Sequence, residues 1–162
     1  MVDPTVSLMS FQQALLARTI EVQRCELDPN LVVHLDKPNG DPRFTYARID
    51  DGTVVALVML ALVEPYEGLP CFQLGYAVQE RYRNRGFATD TVRSSIEELR
   101  NGLQRSGGTA FCVEAVVGAT NKPSQRVVEK VGFASPEEIV DEFSGENALQ
   151  YFMTIGMQPS RA

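Results

Sequence analysis

The sequence holds no tryptophan, one histidine and three cysteines in 162 residues. With His34 alone, and no carboxylate or thiolate cluster at ligand spacing, no metal site is expected. Cys25, Cys71 and Cys112 form no C-x-x-C pair and leave an odd thiol over, which suits a reducing compartment and not a disulfide scaffold. The longest apolar run, residues 54–63, is about half of what a membrane span requires. The first residues lack the basic, apolar, small-residue succession of a secretory signal, so a cytoplasmic location without membrane contact is expected. Positive charge is also scarce. Fifteen Lys and Arg against 21 Asp and Glu leave −6, a poor match for a nucleic-acid backbone.

What remains is an ordinary globular composition. The chain is 44% apolar and 22% charged, which excludes a disordered or collagen-like chain. No repeat or linker divides it, so residues 1–162 read as one domain. That length buries roughly 68–70% of the unfolded surface without a staple.

Apolar residues Phe11, Leu15 and Val22, with Leu16 and Ile20 beside them, predict a helix over 10–24. Residues 36–42 are dense in turn formers and read as a loop. Runs 44–49 and 53–63 flank Asp50-Asp51-Gly52 and predict a hairpin. Residues 71–78 form an apolar strand. Ala88, Val92, Ile96, Leu99 and Leu103 make one stripe on a helix over 87–103. A strand over 109–117 and a helix over 121–131 follow, with Pro123 in the first turn and Gly132 as the stop. Residues 139–143 and 148–155 read as a closing hairpin. The strand–helix–strand unit requires two parallel strands. The expected fold is therefore α+β, a mixed, mostly antiparallel sheet between helices.

The most informative stretch is Arg83-Asn84-Arg85-Gly86-Phe87-Ala88, between a strand and a helix. A helix start offers free N–H groups to an anion, and Gly86 permits close approach and a positive φ. Thr89 adds a hydroxyl. Consecutive amides in such a turn form an anion nest, with Arg81, Arg83 and Arg85 adding charge. A P-loop or Rossmann turn would need motifs that are absent. Taken alone, these residues also read as an exposed loop.

The turn resembles the acetyl-CoA motif Q/R-x-x-G-x-G/A of the Gcn5-related N-acetyltransferase (GNAT) superfamily, with Arg83, Gly86 and Ala88 in its fixed places. The segment Asn121-Lys122-Pro123-Ser124-Gln125-Arg126-Val127-Val128-Glu129-Lys130-Val131-Gly132-Phe133 resembles a second block of that superfamily, N-x-x-S-x-R/K-V-x-E-K-x-G-F. Its wording is most similar to the branch containing ribosomal-protein N-terminal acetyltransferases, as is that of Leu74-Gly75-Tyr76-Ala77-Val78. The resemblance implies a three-layer α/β/α fold whose parallel central strands splay to admit acetyl-CoA. Backbone groups of Ala77 and Val78 would hold the pantetheine arm. The amides of Arg83, Asn84, Arg85, Gly86, Phe87, Ala88 and Thr89 would hold the pyrophosphate, and Asn121 the far end of the pantetheine.

An acceptor amine would then attack the thioester directly, aided by a base, an oxyanion donor and an acid. Many members carry a tyrosine five residues before the Phe of G-F, where this chain has Val128. Ser124 is the nearest hydroxyl, either a donor to the sulfur or a helix-start residue. The related branch often has a glutamate where this chain has Gln73, which cannot take a proton. Glu114, facing opposite to Phe111 and Val113, is the candidate base and Glu64 the second candidate; either also reads as a solvated strand residue.

Cys71 and Cys112 read as small hydrophobes. Tyr76 and Tyr82 flank the turn and read as packing, with facing the acceptor as the alternative for Tyr76. His34 is a strand or turn residue near the substrate mouth. The leading expectation is an acetyl-CoA-dependent N-acetyltransferase for a primary amine on a small molecule or a peptide N-terminus. Its rival is a CoA- or acyl-CoA-binding module without catalysis. A homodimer is compatible with the sequence.

Overall fold

Alternating apolar residues build a sheet with one helical layer on each face. The computed structural model describes residues 3–108 and 110–157. In chain order the elements are α1 (Pro4–Ala17), β1 (Gln23–Arg24), β2 (Leu31–Asp36), β3 (Arg43–Asp50), β4 (Thr53–Tyr66), β5 (Leu69–Val78), a 3-10 turn (Glu80–Tyr82), α2 (Phe87–Arg105), β6 (Phe111–Gly118), α3 (Lys122–Val131), β7 (Ala134–Val140) and β8 (Asn147–Ile155). The strands form one sheet in the order β1-β2-β3-β4-β5-β6-β8-β7. Every neighbouring pair is antiparallel except β5 and β6, which are parallel across the α2 crossover.

Two hairpins are set by their turns. Asp51 and Gly52 have φ of 48° and 77°, and Glu67 and Gly68 have 49° and 79°. Positive φ at both central residues is the two-residue turn whose twist matches paired strands. The register of β4 against β5 shifts between Val63 and Tyr66, where Pro65 has no N–H to give the ladder.

The α2 and α3 layer packs Val92, Ile96, Leu99 and Val128 onto Phe72, Phe111, Val113 and Tyr151. On the other face, α1 lays Leu8 and Phe11 onto Val54, Leu57, Met59 and Ala77. This is the expected three-layer α+β architecture. No helix among the described residues is long and apolar enough to cross a membrane.

The first helix departs from the expected 10–24. It starts at Pro4 because Asp3 accepts the Thr5 N–H at 2.9 Å, and it stops at Arg18, which turns left-handed at φ 55°. Its apolar residues run all round the helix, with Val6, Met9 and Leu16 exposed. Of the expected stripe, Phe11 is buried and Leu15 packs beside it, while Ile20 and Val22 reach the same core from beyond the helix end. The expected strand 109–117 begins at Phe111, and Thr109 lies outside the described residues. The closing hairpin is longer on its first arm. β7 starts at Ala134, and Phe143 lies in the turn. As an almost wholly exposed edge strand, β7 carries no alternation to betray it.

Candidate active site

The parallel pair is short. Only Cys71–Cys112, Phe72–Val113 and Gln73–Glu114 are partners across β5 and β6. Yet β5 stays paired with β4 to Val78, and β6 with β8 to Gly118. Beyond Gln73 and Glu114 each strand therefore keeps its outer neighbour and loses its inner one. The inner edges of Leu74–Val78 and of 115–118 have no strand partner there. A cleft of about 940 Å³ opens at this divergence, walled by Ala77 and Val78 on one side and Ala115 and Val117 on the other.

The turn at one end of the cleft has the geometry that an anion nest needs. Asn84 and Gly86 are left-handed, at φ 63° and 81°. Gly86 is the N-cap of α2 and brings no capping side chain, so the N–H groups of the first helical turn lack partners. A Cβ built on Gly86 would meet no atom within 4 Å. The glycine is required for its φ and for the open space before it. Arg83, Asn84, Gly86, Phe87, Ala88 and Thr89 all line the cleft. Arg83 braces the turn by donating Nε to the Val78 carbonyl at 3.1 Å.

Arg85 does not reach the cleft lining. Its guanidinium lies over the Tyr82 ring, 5.7 Å from the centroid.

At the opposite wall, Asn121 caps α3 by accepting the Ser124 N–H on Oδ1 at 3.2 Å. Gln125, buried, donates Nε2 to the carbonyls of Gly118 and Ala119 and ties the helix start to the end of β6. The Ser124 hydroxyl is not the cap. It lies 2.5 Å from the Tyr76 hydroxyl, and both residues line the cleft. Burial pushes the Tyr76 phenol above its ordinary value, and the Ser124 hydrogen bond pulls the other way. Val128 is fully buried in the core beneath α3.

Glu114 sits at the last paired position of the parallel strands, outside the cleft lining. Gln73 Nε2 donates to its Oε1 at 3.0 Å and Gln150 Nε2 to its Oε2 at 3.1 Å. Glu64 is exposed on β4 and also lies off the cleft. His34 is a strand residue, on β2, but lies off the cleft lining; its Nδ1 is 2.8 Å from the Glu21 carbonyl and its ring is edge-on to Phe11 of α1. Cys71 and Cys112 are buried neighbours on adjacent strands.

Three cleft features escaped sequence reasoning. The sequence reads Tyr76 as packing or as facing the acceptor, and nothing local marks its hydroxyl partner 48 residues away. Arg126 and Lys130 line the cleft from α3, and their i,i+4 spacing was the available signal. Asp3, Pro4 and Thr5 also line it, without any signature in the sequence.

The chain belongs to the GNAT acetyltransferase family: residues 6–134 match the acetyltransferase (GNAT) domain model. Solved structures agree in fold. RimJ of Mycobacterium smegmatis, in complex with CoA-disulfide, is 21% identical at TM-score 0.57, covering 69% of this chain and 53% of its own. Spermidine N-acetyltransferase of Vibrio cholerae, in complex with CoA and spermine, is 16% identical at TM-score 0.55, covering 72% and 66%. A GNAT-family acetyltransferase of Streptococcus pneumoniae is 17% identical at TM-score 0.54, covering 70% and 67%. The chain thus spans about half to two thirds of these solved structures. No curated protein matches it in sequence.

Proposed function

We propose that this protein transfers an acetyl group from acetyl-CoA directly to a primary amine. The observation that carries the reading is the parting of β5 from β6 after Gln73 and Glu114, with the Gly86 turn at the mouth of the gap. The edge of β5 at Ala77 and Val78, which has no strand partner on the β6 side, suits the amide-rich pantetheine arm, which would bond it as an added strand does, with the Val78 carbonyl also accepting from Arg83. The N–H groups at the start of α2 suit the pyrophosphate. Asn121 keeps Nδ2 for an amide carbonyl of the same arm while Oδ1 caps α3.

In the reaction, the amine nitrogen attacks the thioester carbonyl, and backbone N–H groups on the free edge of β5 stabilise the oxyanion. The C–S bond breaks with its electron pair on sulfur, beside the Ser124 hydroxyl. Glu114, at the apex of the gap, takes the proton that the amine loses, through water. The acceptor belongs to the class of small amines or peptide N-termini. The wording of the Asn121–Phe133 block favours the ribosomal-protein N-terminal branch. A cytoplasmic setting fits three free thiols.

One observation favours a second reading, a CoA-binding module without catalysis. Both Glu114 oxygens are already held by amides, and the carboxylate is not on the cleft wall. A thiol-release assay with acetyl-CoA and a panel of amines separates the two: amine-dependent release supports transfer, and binding without release on any amine supports the module.

A further inference from the structure

The wall of α3 that faces the cleft has no phenol of its own. Val128, four residues after Ser124, is apolar and fully buried. The phenol beside Ser124 comes instead from β5. Tyr76 lies three residues beyond Gln73, where the strand has left β6, and its hydroxyl meets Ser124 Oγ across the cleft.

We propose that Tyr76 is the proton donor for the departing CoA thiolate, acting through the hydroxyl of Ser124. The inference rests on the acetyltransferase reading.

Each hydroxyl has one proton. Whichever of the pair donates to the other, one O–H remains free to point into the cleft. The Asn121 cap releases Ser124 from helix duty, since it is the Ser124 amide, not its hydroxyl, that Asn121 engages. A lone serine is a far weaker acid than a thiol and would hand its proton over poorly. A phenol, ordinarily about 10 against about 8.5 for a thiol, is much nearer in strength than a serine, although burial makes the Tyr76 phenol a weaker acid than an exposed one and the Ser124 hydrogen bond offsets part of that. Burial keeps the Tyr76 phenol protonated through the neutral range, which is the form a donor requires.

The step balances without any further reactant. As the C–S bond breaks, the Ser124 O–H proton passes to sulfur and the Tyr76 proton passes to Ser124 Oγ. The tyrosinate left behind is reprotonated from water, and the proton lost by the amine is returned to water. Acetyl-CoA and amine become N-acetyl amine and CoA thiol. Tyr76 touches Ser124, not the reacting atoms, so it is a positioning and relay residue.

The test compares wild type, Tyr76→Phe, Ser124→Ala and the double variant under single-turnover conditions. Acetyl-CoA is used with a panel of spermidine, an alanine-led peptide, glucosamine and lysine. Tyr76→Phe keeps the ring, so its acetyl-CoA Kd should stay within about twofold of wild type, while the transfer rate falls roughly ten- to a hundredfold, at or below the usual scale of a positioned proton donor. The solvent deuterium effect on the transfer step should shrink in both single variants, a readout that packing alone would not move. The double variant should be no slower than the slower single one, as for groups acting as a unit. A Tyr76→Phe enzyme with wild-type rate and isotope effect overturns the relay and leaves the transferase intact. A wild type that releases no thiol with any of the four amines overturns the transferase reading, and the relay with it.

Discussion

Gln73 and Glu114 are the last partners across the two parallel strands, and the Gln73 amide donates to the Glu114 carboxylate at 3.0 Å. Gln150 holds the other oxygen from β8. The strand gap therefore begins at a fixed point, pinned by three side chains on three strands. A carboxylate held on both oxygens is oriented, and that is useful for a base as well as for a lock. Glu114→Gln preserves the shape and removes the charge. It should lower the transfer rate by roughly a hundredfold, the low end for a general base, with the acetyl-CoA Kd unchanged. Stopped-flow rates and calorimetry on the same variant check both halves.

Gly86→Val should weaken acetyl-CoA binding at least about tenfold in calorimetry. The branched side chain would occupy the open space before Gly86 and would have to adopt φ 81°, a region that β-branched residues avoid. Strain of about 1–3 kcal/mol is expected in stability, small enough to leave the fold intact. Gly86→Ala, with a smaller group in the same place, should lie between the two.

Asn121 has two jobs that one substitution can divide. Asn121→Asp keeps an oxygen to cap α3 and removes the Nδ2 donor. It should raise the acetyl-CoA Kd and leave the urea midpoint near wild type. Asn121→Ala removes both and should also cost about 0.5–2 kcal/mol of stability, the usual worth of a helix N-cap.

The three thiols should be free and slow to react in the folded protein. Burial pushes Cys71 from 9.0 to about 12, and burial with the nearby Glu98 and Asp28 does the same for Cys25. At pH 8 the reactive thiolate of either is then scarcer by about a thousandfold than in the unfolded chain. Disulfide-exchange titration should count three thiols in denaturant and label Cys25 and Cys71 slowly without it. The linkage has a definite sign. Between pH 9 and about 12 the folded protein keeps protons that the unfolded chain releases, so stability should fall as pH rises through that window. A urea midpoint higher at pH 10 than at pH 8 would contradict it.

The middle of the chain was legible because its signals are local. The stripe from Val92 to Leu99 gave α2, Asp51-Gly52 gave a hairpin turn, and the positive φ of Gly86 followed from its place before a helix. Elements held by distant partners were not. The short β1 carries no pattern of its own. The segment after it is pinned by Glu98 of α2, whose carboxylate accepts the N–H groups of Glu26, Leu27 and Asp28. The meeting of Tyr76 with Ser124 is of the same kind, since each residue reads locally as packing or capping. Arg85 shows the converse: a charge beside a candidate anion site was counted toward it, but the side chain turned to the Tyr82 ring.

The central claim is direct transfer from acetyl-CoA in the gap between β5 and β6, and a single-turnover experiment with mass detection tests it most closely. With enzyme in excess over acetyl-labelled CoA, and an amine that supports thiol release, the label should appear on the amine in equal amount to the thiol released. The protein mass should stay unchanged throughout. Label retained as acetyl-CoA, bound tightly with no thiol released on any amine, would contradict the claim and leave a CoA-binding module.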